Sequence, residues 1–143
     1  AGGTEATISG NTLSAPEAGT VTVTATIING VAAGTDYTQH FQISVFSAAP
    51  PIESFEVLPV NEDRVTAIID LSHTGASSFA ICIQDNVFDT PLVGEIPPAG
   101  AVHYATNTAI SNVDAGQHLG IFALDSSGKI VAFSDYILVE EPL

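Results

Sequence analysis

The sequence predicts an all-β protein in which a Greek-key β-sandwich follows a partial β segment. Two observations favour this fold class. Apolar and polar residues alternate with a period of two along much of the 143-residue chain, as they do in strands that bury one face. Turn-forming residues separate the apolar runs about every 8–12 residues, which is typical of a sandwich or barrel. Since no segment has the 3.6-residue apolar period of an amphipathic helix, we expect little or no α-helix.

Three strands are predicted in the first part of the chain, near residues 5–9, 20–28 and 37–46. In the second of them apolar residues alternate with threonine, so one face of the strand carries the apolar side chains Val21, Val23, Ala25 and Ile27. Asn29-Gly30 comes next, and both residues tolerate positive φ. The pair therefore predicts a turn, which a short polar and glycine loop continues to Asp36, and the strand near 37–46 is the expected antiparallel partner.

A linker is predicted at Ala48-Ala49-Pro50-Pro51, because consecutive prolines lack backbone donors and favour an extended chain. The predicted domains are therefore residues 1–49 and 50–143. Seven strands are predicted after the linker, near residues 52–58, 64–72, 78–84, 92–96, 102–110, 117–124 and 130–139.

The number of strands indicates how complete each domain is. Seven strands match one immunoglobulin-like sandwich. The first 49 residues are too few for a second one, and a piece of two or three strands is marginally stable by itself. We therefore expect an incomplete sandwich there, which another chain completes or which the ends of the sequence cut short. The remaining alternative is that all ten strands form one large jelly-roll-like domain.

Charge and composition limit the partners. The chain has 16 acidic residues and two cationic ones, Arg64 and Lys129, for a net charge of −14. Binding to nucleic acid or to anionic lipid needs clustered cations, so both are excluded. No apolar run approaches the ~18 residues of a membrane span, so we expect no membrane insertion. We expect protein partners or self-assembly through strand edges instead.

The same composition indicates where the protein acts. An acidic chain with few cations and abundant threonine, serine, alanine and glycine is common among bacterial extracellular proteins. No methionine occurs, even at position 1. We therefore expect a processed chain or a piece of a longer one, at the cell surface or secreted.

The sequence predicts no catalytic, cofactor-binding or metal-binding residue. Cys82 lies in an apolar run and is expected to pack as a small hydrophobe. Zinc-ligand spacing is missing among His40, His73, His103 and His118, and no nucleophile elbow surrounds Ser126 or Ser127. The acidic pairs Glu62-Asp63 and Asp85 with Asp89 are expected by chance in so acidic a chain. An isopeptide bond is not expected at Lys129, which lies in a predicted loop.

Calcium is the one cofactor that the composition leaves open, because hard oxygen ligands are plentiful. Its candidate ligands are Asp85, Asn86 and Asp89 in one loop, or Asp125 in another. No complete calcium-loop motif accompanies them, so we expect solvated loop acids.

Three segments of the N-terminal part carry a resemblance to a known module. They are Ala6-Thr7-Ile8-Ser9-Gly10-Asn11-Thr12-Leu13-Ser14-Ala15, then Ala18-Gly19-Thr20-Val21-Thr22-Val23-Thr24-Ala25-Thr26-Ile27, then Phe41-Gln42-Ile43-Ser44-Val45. Residues 5–46 thereby resemble the C-terminal half of a bacterial Ig-like repeat of group 2. The strands that usually precede this half in such repeats are missing here.

The C-terminal part resembles another module. The segment from Ile110 to Asp125, followed by Ser126-Ser127-Gly128-Lys129, is similar to the E–F turn, F strand and F–G loop of fibronectin type III domains. The resemblance extends over residues 52–139, with Leu119 where that family usually has tyrosine. Modules of both kinds typically act as spacers or adhesive units in surface proteins and secreted enzymes, which implies no catalytic residues.

The resulting prediction is a non-enzymatic structural or adhesive module of a bacterial cell-surface or secreted protein. One alternative is a filament or pilus-like subunit that assembles by strand donation between Ig-like domains. Another is a carbohydrate-binding accessory module of a secreted enzyme. That alternative has less support, because the chain has no tryptophan and only three tyrosines to form sugar-stacking platforms.

Overall fold

The computed structural model describes residues 4–142. The chain divides into two compact units, one ending at Ser47 and the other beginning at Ala48. Every regular element in the described residues is a β-strand, which confirms the predicted fold class. No helix within residues 4–142 has the length and apolar character needed to cross a membrane.

The N-terminal unit contains two antiparallel hairpins. They are built from β1 (Thr7–Ser9) with β2 (Thr12–Ser14), and from β3 (Gly19–Ala32) with β4 (Thr35–Val45). The predicted strands near 5–9, 20–28 and 37–46 correspond to β1, β3 and β4. The prediction missed β2, although β2 has the same three-residue length as its partner β1.

The end of the strand predicted at Asn29-Gly30 is wrong, although the chain does reverse within the loop predicted to reach Asp36. β3 continues through both residues to Ala32, and the chain reverses at Gly34, where φ is 82°. Asn29 does adopt a positive φ of 58°, but in an irregularity within the strand. Its side chain accepts a hydrogen bond from the Gly34 N–H (2.6 Å), and its own N–H donates to the Asp36 carboxylate (2.9 Å). These two bonds hold the end of the hairpin and move the turn beyond the pair.

The C-terminal unit is a two-sheet sandwich of seven strands. They are β5 (Ser54–Val57), β6 (Val65–Ser72), β7 (Ser78–Gln84), β8 (Val102–Tyr104), β9 (Ala109–Ser111), β10 (His118–Leu124) and β11 (Ile130–Ile137). One sheet has the order β5-β6-β9 and the other the order β11-β10-β7-β8. Every paired strand is antiparallel. Three strands facing four in this order form an immunoglobulin-like Greek key.

The core lies between the two sheets. Ile68 of β6 and both Leu119 and Ile121 of β10 are fully buried in one cluster. A second cluster covers the opposite face of β10, where Phe122 packs with Phe133 and Phe88. β10 is therefore buried on both faces, and its sequence is accordingly apolar at nearly every position.

The strand predicted near 92–96 is wrong. Of these residues only Leu92 forms a β-bridge, to Ala48. Gly94 adopts a φ of 91°, which is not a strand conformation, and the Leu92 N–H donates to the Glu95 carboxylate (2.9 Å). The segment does contact Ile130 of β11, since the Gly94 N–H donates to the Ile130 carbonyl and the Ile130 N–H donates to the Glu95 carbonyl (both 2.8 Å), but no continuous ladder forms.

The single strand predicted near 102–110 is also wrong, because the chain changes sheets within it. β8 belongs to the four-stranded sheet and β9 to the three-stranded sheet. The corner between them contains Asn107 at a φ of 64°, and the Thr108 N–H donates to the Ala105 carbonyl. A polar left-handed residue inside an apparently continuous run is what breaks the strand.

The segment predicted as a linker is docked on the C-terminal unit. Ala49 is buried, and its N–H donates to the Pro91 carbonyl (2.8 Å). The Pro50 carbonyl accepts a hydrogen bond from the Phe133 N–H of β11 (2.8 Å), and the Ile52 N–H donates to the Ser134 hydroxyl (3.0 Å). The prolines thus run along the edge of β11, where a missing N–H is tolerated.

Candidate functional site

Most of the side chains considered for chemistry have structural partners or lie at the surface. Cys82 is a half-buried free thiol beside the second core cluster. His118 Nδ1 lies 2.9 Å from the Asp135 carboxylate, and both side chains are largely buried. The same carboxylate accepts a hydrogen bond from the Phe88 N–H (3.2 Å), so it ties the loop before β8 to the sheet.

The other histidines do not come together. His40 is exposed and bonds to the Thr24 hydroxyl (2.9 Å), and His103 is exposed on β8. The Nδ1 atom of His73 is buried without a hydrogen-bond partner. Within residues 4–142, no three histidine, cysteine or acidic side chains lie close enough together to hold a metal ion.

The acidic candidates have local roles. Asp85 accepts a hydrogen bond from Gln117 (3.0 Å), whereas Glu62 and Asp63 line an open groove of about 660 Å³. Arg64 lies in the same groove and forms two 2.7 Å hydrogen bonds with Asp114. Both side chains are more than half exposed, so this pair contributes at most about 1 kcal/mol.

The Asp125 carboxylate organises the loop between β10 and β11. It accepts hydrogen bonds from the Lys129 N–H (2.9 Å), the Ser127 hydroxyl (2.7 Å) and the Ser127 N–H (2.8 Å). These bonds stabilise the charged form, the Lys129 N–H most of all, and lower the pKa of Asp125. Ser126 and Ser127 are therefore parts of a turn.

We expect Asp125 to titrate below the usual range of aspartate. Because its pKa is lower in the folded chain than in the unfolded one, its contribution to stability is present above the unfolded pKa. That contribution is lost as the pH falls through the folded value. Carboxyl-detected NMR titration measures the folded pKa directly. Ser127→Ala, which removes one donor, should raise it, and an unchanged pKa in that variant would contradict the assignment.

The β3–β4 hairpin has one apolar and one polar face. The strand register pairs Val21 with Ile43, Val23 with Phe41, Ala25 with Gln39, and Ile27 with Tyr37 on the apolar face. On the polar face, the register pairs Thr20 with Ser44, Thr22 with Gln42, Thr24 with His40, and Thr26 with Thr38. Such a division is typical of a ribbon that packs one face against another layer.

In the described part of the N-terminal unit that layer is missing over most of the hairpin. Ile27 is 60% exposed, Phe41 51%, Tyr37 45% and Ile43 40%. Val21, at the base of the hairpin, is the one buried apolar residue described in this unit before Ser47. An apolar patch of this kind on a surface normally marks an interaction site.

The two outer edges of the hairpin are also bare. Among the described residues, β3 and β4 pair only with each other, so each has one unpaired edge. Between Gly19 and Val45 there is a single charged residue, Asp36, and no proline. Edge strands are usually protected by charges, proline or short length, and this hairpin lacks those protections along its stem.

The sequence predicted that the apolar residues of β3 share one face, but it predicted neither the β4 residues beside them nor the exposure of that face. Period-two alternation records which side chains lie on the same side of a strand, and it normally indicates burial. The Asp135 partner of His118 was also missed. It becomes visible only from the register of β10 and β11, which places it diagonally across the pair.

Comparison with known proteins identifies the family. Residues 61–141 match the family model of the S-layer protein SbsC C-terminal domain. No curated protein matches the chain. Two solved structures share the fold. One is the crystal structure of the S-layer protein SbsC, domains 7, 8 and 9, with 20% identity and a TM-score of 0.56. The other is the surface layer protein SbsC, domains 4–9, with 19% identity and a TM-score of 0.58.

The similarity to these structures covers most of this chain but only part of theirs. It extends over 89% of the chain and 39% of the first structure, and over 85% of the chain and 19% of the second. At such identities the likeness shows the fold alone. The family model, in contrast, matches more than half of the chain. The chain therefore belongs to the S-layer protein SbsC C-terminal domain family and is a structural module of the extracellular cell surface.

Proposed function

We propose that this protein is a non-enzymatic, self-assembling module of a bacterial surface layer, and that its N-terminal unit makes the assembly contacts through strand edges. The observation that carries the proposal is the β3–β4 hairpin, whose two edges and apolar face are open in the described chain. The S-layer family membership supports the surface-layer part of the proposal, since the name describes proteins of a surface layer and the match lies at residues 61–141.

The two units differ in how completely their strands are paired and covered by another layer. The C-terminal unit has two sheets around a buried cluster, whereas within the described residues the long hairpin of the N-terminal unit has no covering layer beyond its base at Val21. A two-stranded hairpin is marginally stable in water. We therefore propose that the N-terminal unit is an incomplete sandwich, and that strands from another chain complete it by edge pairing.

Edge pairing can also join many copies of the chain into an extended assembly. An added strand gains main-chain hydrogen bonds along its whole length, with side-chain pockets setting the register. If the contact joins different surfaces of the two partners and its rotation does not close a ring, it repeats and yields an open array. The net charge of −14 opposes nonspecific aggregation of the chains, because like charges repel each other.

We expect the molar mass in solution to grow with protein concentration, and to grow further at high salt. Salt shortens the Debye length to ~3 Å at 1 M, which weakens repulsion between acidic surfaces but leaves apolar and main-chain contacts intact. Light scattering at a low and a high protein concentration, each at two ionic strengths, provides the measurement. A monomer under all four conditions would refute self-assembly.

Hydrogen exchange then locates the contact. If the edges pair, the outward-facing amides of β3 and β4 should exchange more slowly in the assembled sample than in the dilute one. The amides of β10, which already pair on both sides, serve as an internal control and should not change. Slowing confined to the C-terminal unit would show that assembly uses another surface.

A further inference from the structure

We infer that the apolar face of the β3–β4 hairpin binds the same face of a second copy of this chain, forming a two-layer, four-stranded contact. This inference rests on the proposed function and adds a second contact to the edge pairing. An edge contact continues a sheet sideways, whereas this contact lays one hairpin on top of another.

The arrangement of side chains fits such a contact. Seven of the eight side chains in the four facing pairs are apolar, with Gln39 the exception. Because the pairs follow each other along both strands, the apolar side chains form two parallel rows. Two such surfaces can interdigitate at the ~10 Å spacing of packed sheets.

The exposed apolar area of the face is large enough to contribute substantially to an interface between two copies. The four large side chains that are 40–60% exposed are Ile27, Tyr37, Phe41 and Ile43. With ~200 Å² for a fully exposed side chain of this size, they leave on the order of 400 Å² of apolar surface in water. A face-to-face pair would bury about twice that area from these residues alone. With the flanking residues included, it approaches the ~1,200 Å² lower range of specific interfaces.

The low charge of the face permits a second copy as the occupant. Residues 1–47 contain only three of the sixteen acidic residues, Glu5, Glu17 and Asp36, and neither cationic one. None of the three lies among the eight side chains of the apolar face. Two copies of a chain with a net charge of −14 can therefore meet on this face without opposing carboxylates, whereas the C-terminal unit carries most of the like charge.

The geometry also permits a closed pair. A surface that binds its own copy forms a two-fold contact, in which each residue meets its counterpart or a symmetry partner. The two central pairs of the face are Val23 with Phe41 and Ala25 with Gln39. Ala25 therefore lies close to the expected two-fold axis, where identical residues of the two copies approach each other.

The test is a disulfide between copies. Cys82 is the only cysteine, so Cys82→Ala gives a background without thiols, and Cys82→Ser is a second background in case the first does not fold. Into it we place Ala25→Cys on the apolar face or Thr26→Cys on the polar face. Both parent residues are small, exposed and adjacent in β3, so the variants differ mainly in the face that carries the thiol.

Under mild oxidation we expect the Ala25→Cys chain to form covalent dimers about tenfold or more faster than the Thr26→Cys chain, because pairing raises the local concentration of the opposed thiols. Adding Phe41→Asp to Ala25→Cys should abolish the difference, since it places a carboxylate in the contact. Equal crosslinking of the two cysteine variants would overturn the inference.

The outcomes separate this inference from the proposed function. Slow crosslinking of both variants, together with a molar mass that grows with concentration, would reject the facing pair and leave edge assembly standing. Slow crosslinking together with a monomer at every concentration would reject both. Fast crosslinking confined to Ala25→Cys supports the facing pair, whatever the edges do.

Discussion

Replacing Phe122 with alanine is expected to lower the free energy of unfolding of the C-terminal unit by about 3–5 kcal/mol. Phe122 lies in the middle of β10 and is 2% exposed. Its ring is 5.0 Å from that of Phe133 and 6.2 Å from that of Phe88, measured between centroids. Truncation would remove both aromatic contacts and leave a cavity that the rigid strands on either side cannot fill.

The position of Phe122 makes the expected loss of stability larger than the burial of its own ring would give. Its cluster lies on the outer face of the four-stranded sheet and includes Ala49 and Phe88, from the segments that cover that face. The cover is tight, because a side chain at Gly120 would come within 2.9 Å of the Phe88 ring. We therefore expect the Phe122→Ala chain to lose the attachment of these segments as well as its own packing.

Differential scanning calorimetry measures the effect. For a unit of about 100 residues, a loss of 3 kcal/mol corresponds to a fall in melting temperature of more than about 10 °C. Ile137→Ala is the matched control, because Ile137 lies at the end of β11 in the same sheet and is 54% exposed. If both variants melted at nearly the same temperature, the second cluster would contribute little to stability.

Replacing Tyr104 with phenylalanine is expected to cost about 1–3 kcal/mol, although it removes a single oxygen atom. Tyr104 is 5% exposed at the end of β8. Its hydroxyl accepts a hydrogen bond from the Ile68 N–H of β6 (2.8 Å) and donates one to the Thr108 carbonyl (2.7 Å). The residue thereby joins the two sheets at the corner where the chain passes from one to the other.

The loss of stability expected for Tyr104→Phe follows from the way β6 is paired. β9 pairs with β6 only from Val65 to Ala67, so the Ile68 N–H lies just beyond the last ladder pair. Ile68 is fully buried, and water cannot replace the tyrosine hydroxyl. Phenylalanine would keep the ring packing but leave this buried N–H without an acceptor. A buried donor that loses its partner costs its full desolvation free energy.

Hydrogen exchange at the Ile68 amide tests this directly. It should exchange markedly faster in Tyr104→Phe, and the melting temperature should fall. Tyr136→Phe is the control, because Tyr136 is partly buried against Phe55, at 6.4 Å between ring centroids, and its hydroxyl has no hydrogen bond among the described residues. Unchanged exchange at Ile68 in Tyr104→Phe would mean that the hydroxyl is not its partner.

Two of the errors in the predicted strands, the turn at Asn29-Gly30 and the single strand near 102–110, share one physical cause. Asn29 and Asn107 both adopt positive φ, a conformation that asparagine tolerates in a turn, a bulge or a corner alike. Sequence pattern identifies the residue that can bend the chain, but tertiary contacts select the bend. At Asn29 two side-chain hydrogen bonds favour an irregularity within the strand, whereas at Asn107 the chain crosses to the other sheet.

The sequence by itself determined the all-β class, most of the strands and the β3 residues that share the apolar face of the hairpin. All of these follow from a period of two, which is a property of a single strand. Only the tertiary structure decided that β8 and β9 lie in different sheets, that the tandem prolines dock on β11, and that the hairpin face is open among residues 4–142. Those features depend on which element packs against or pairs with a strand. Alternation of apolar and polar residues within a strand does not specify that element.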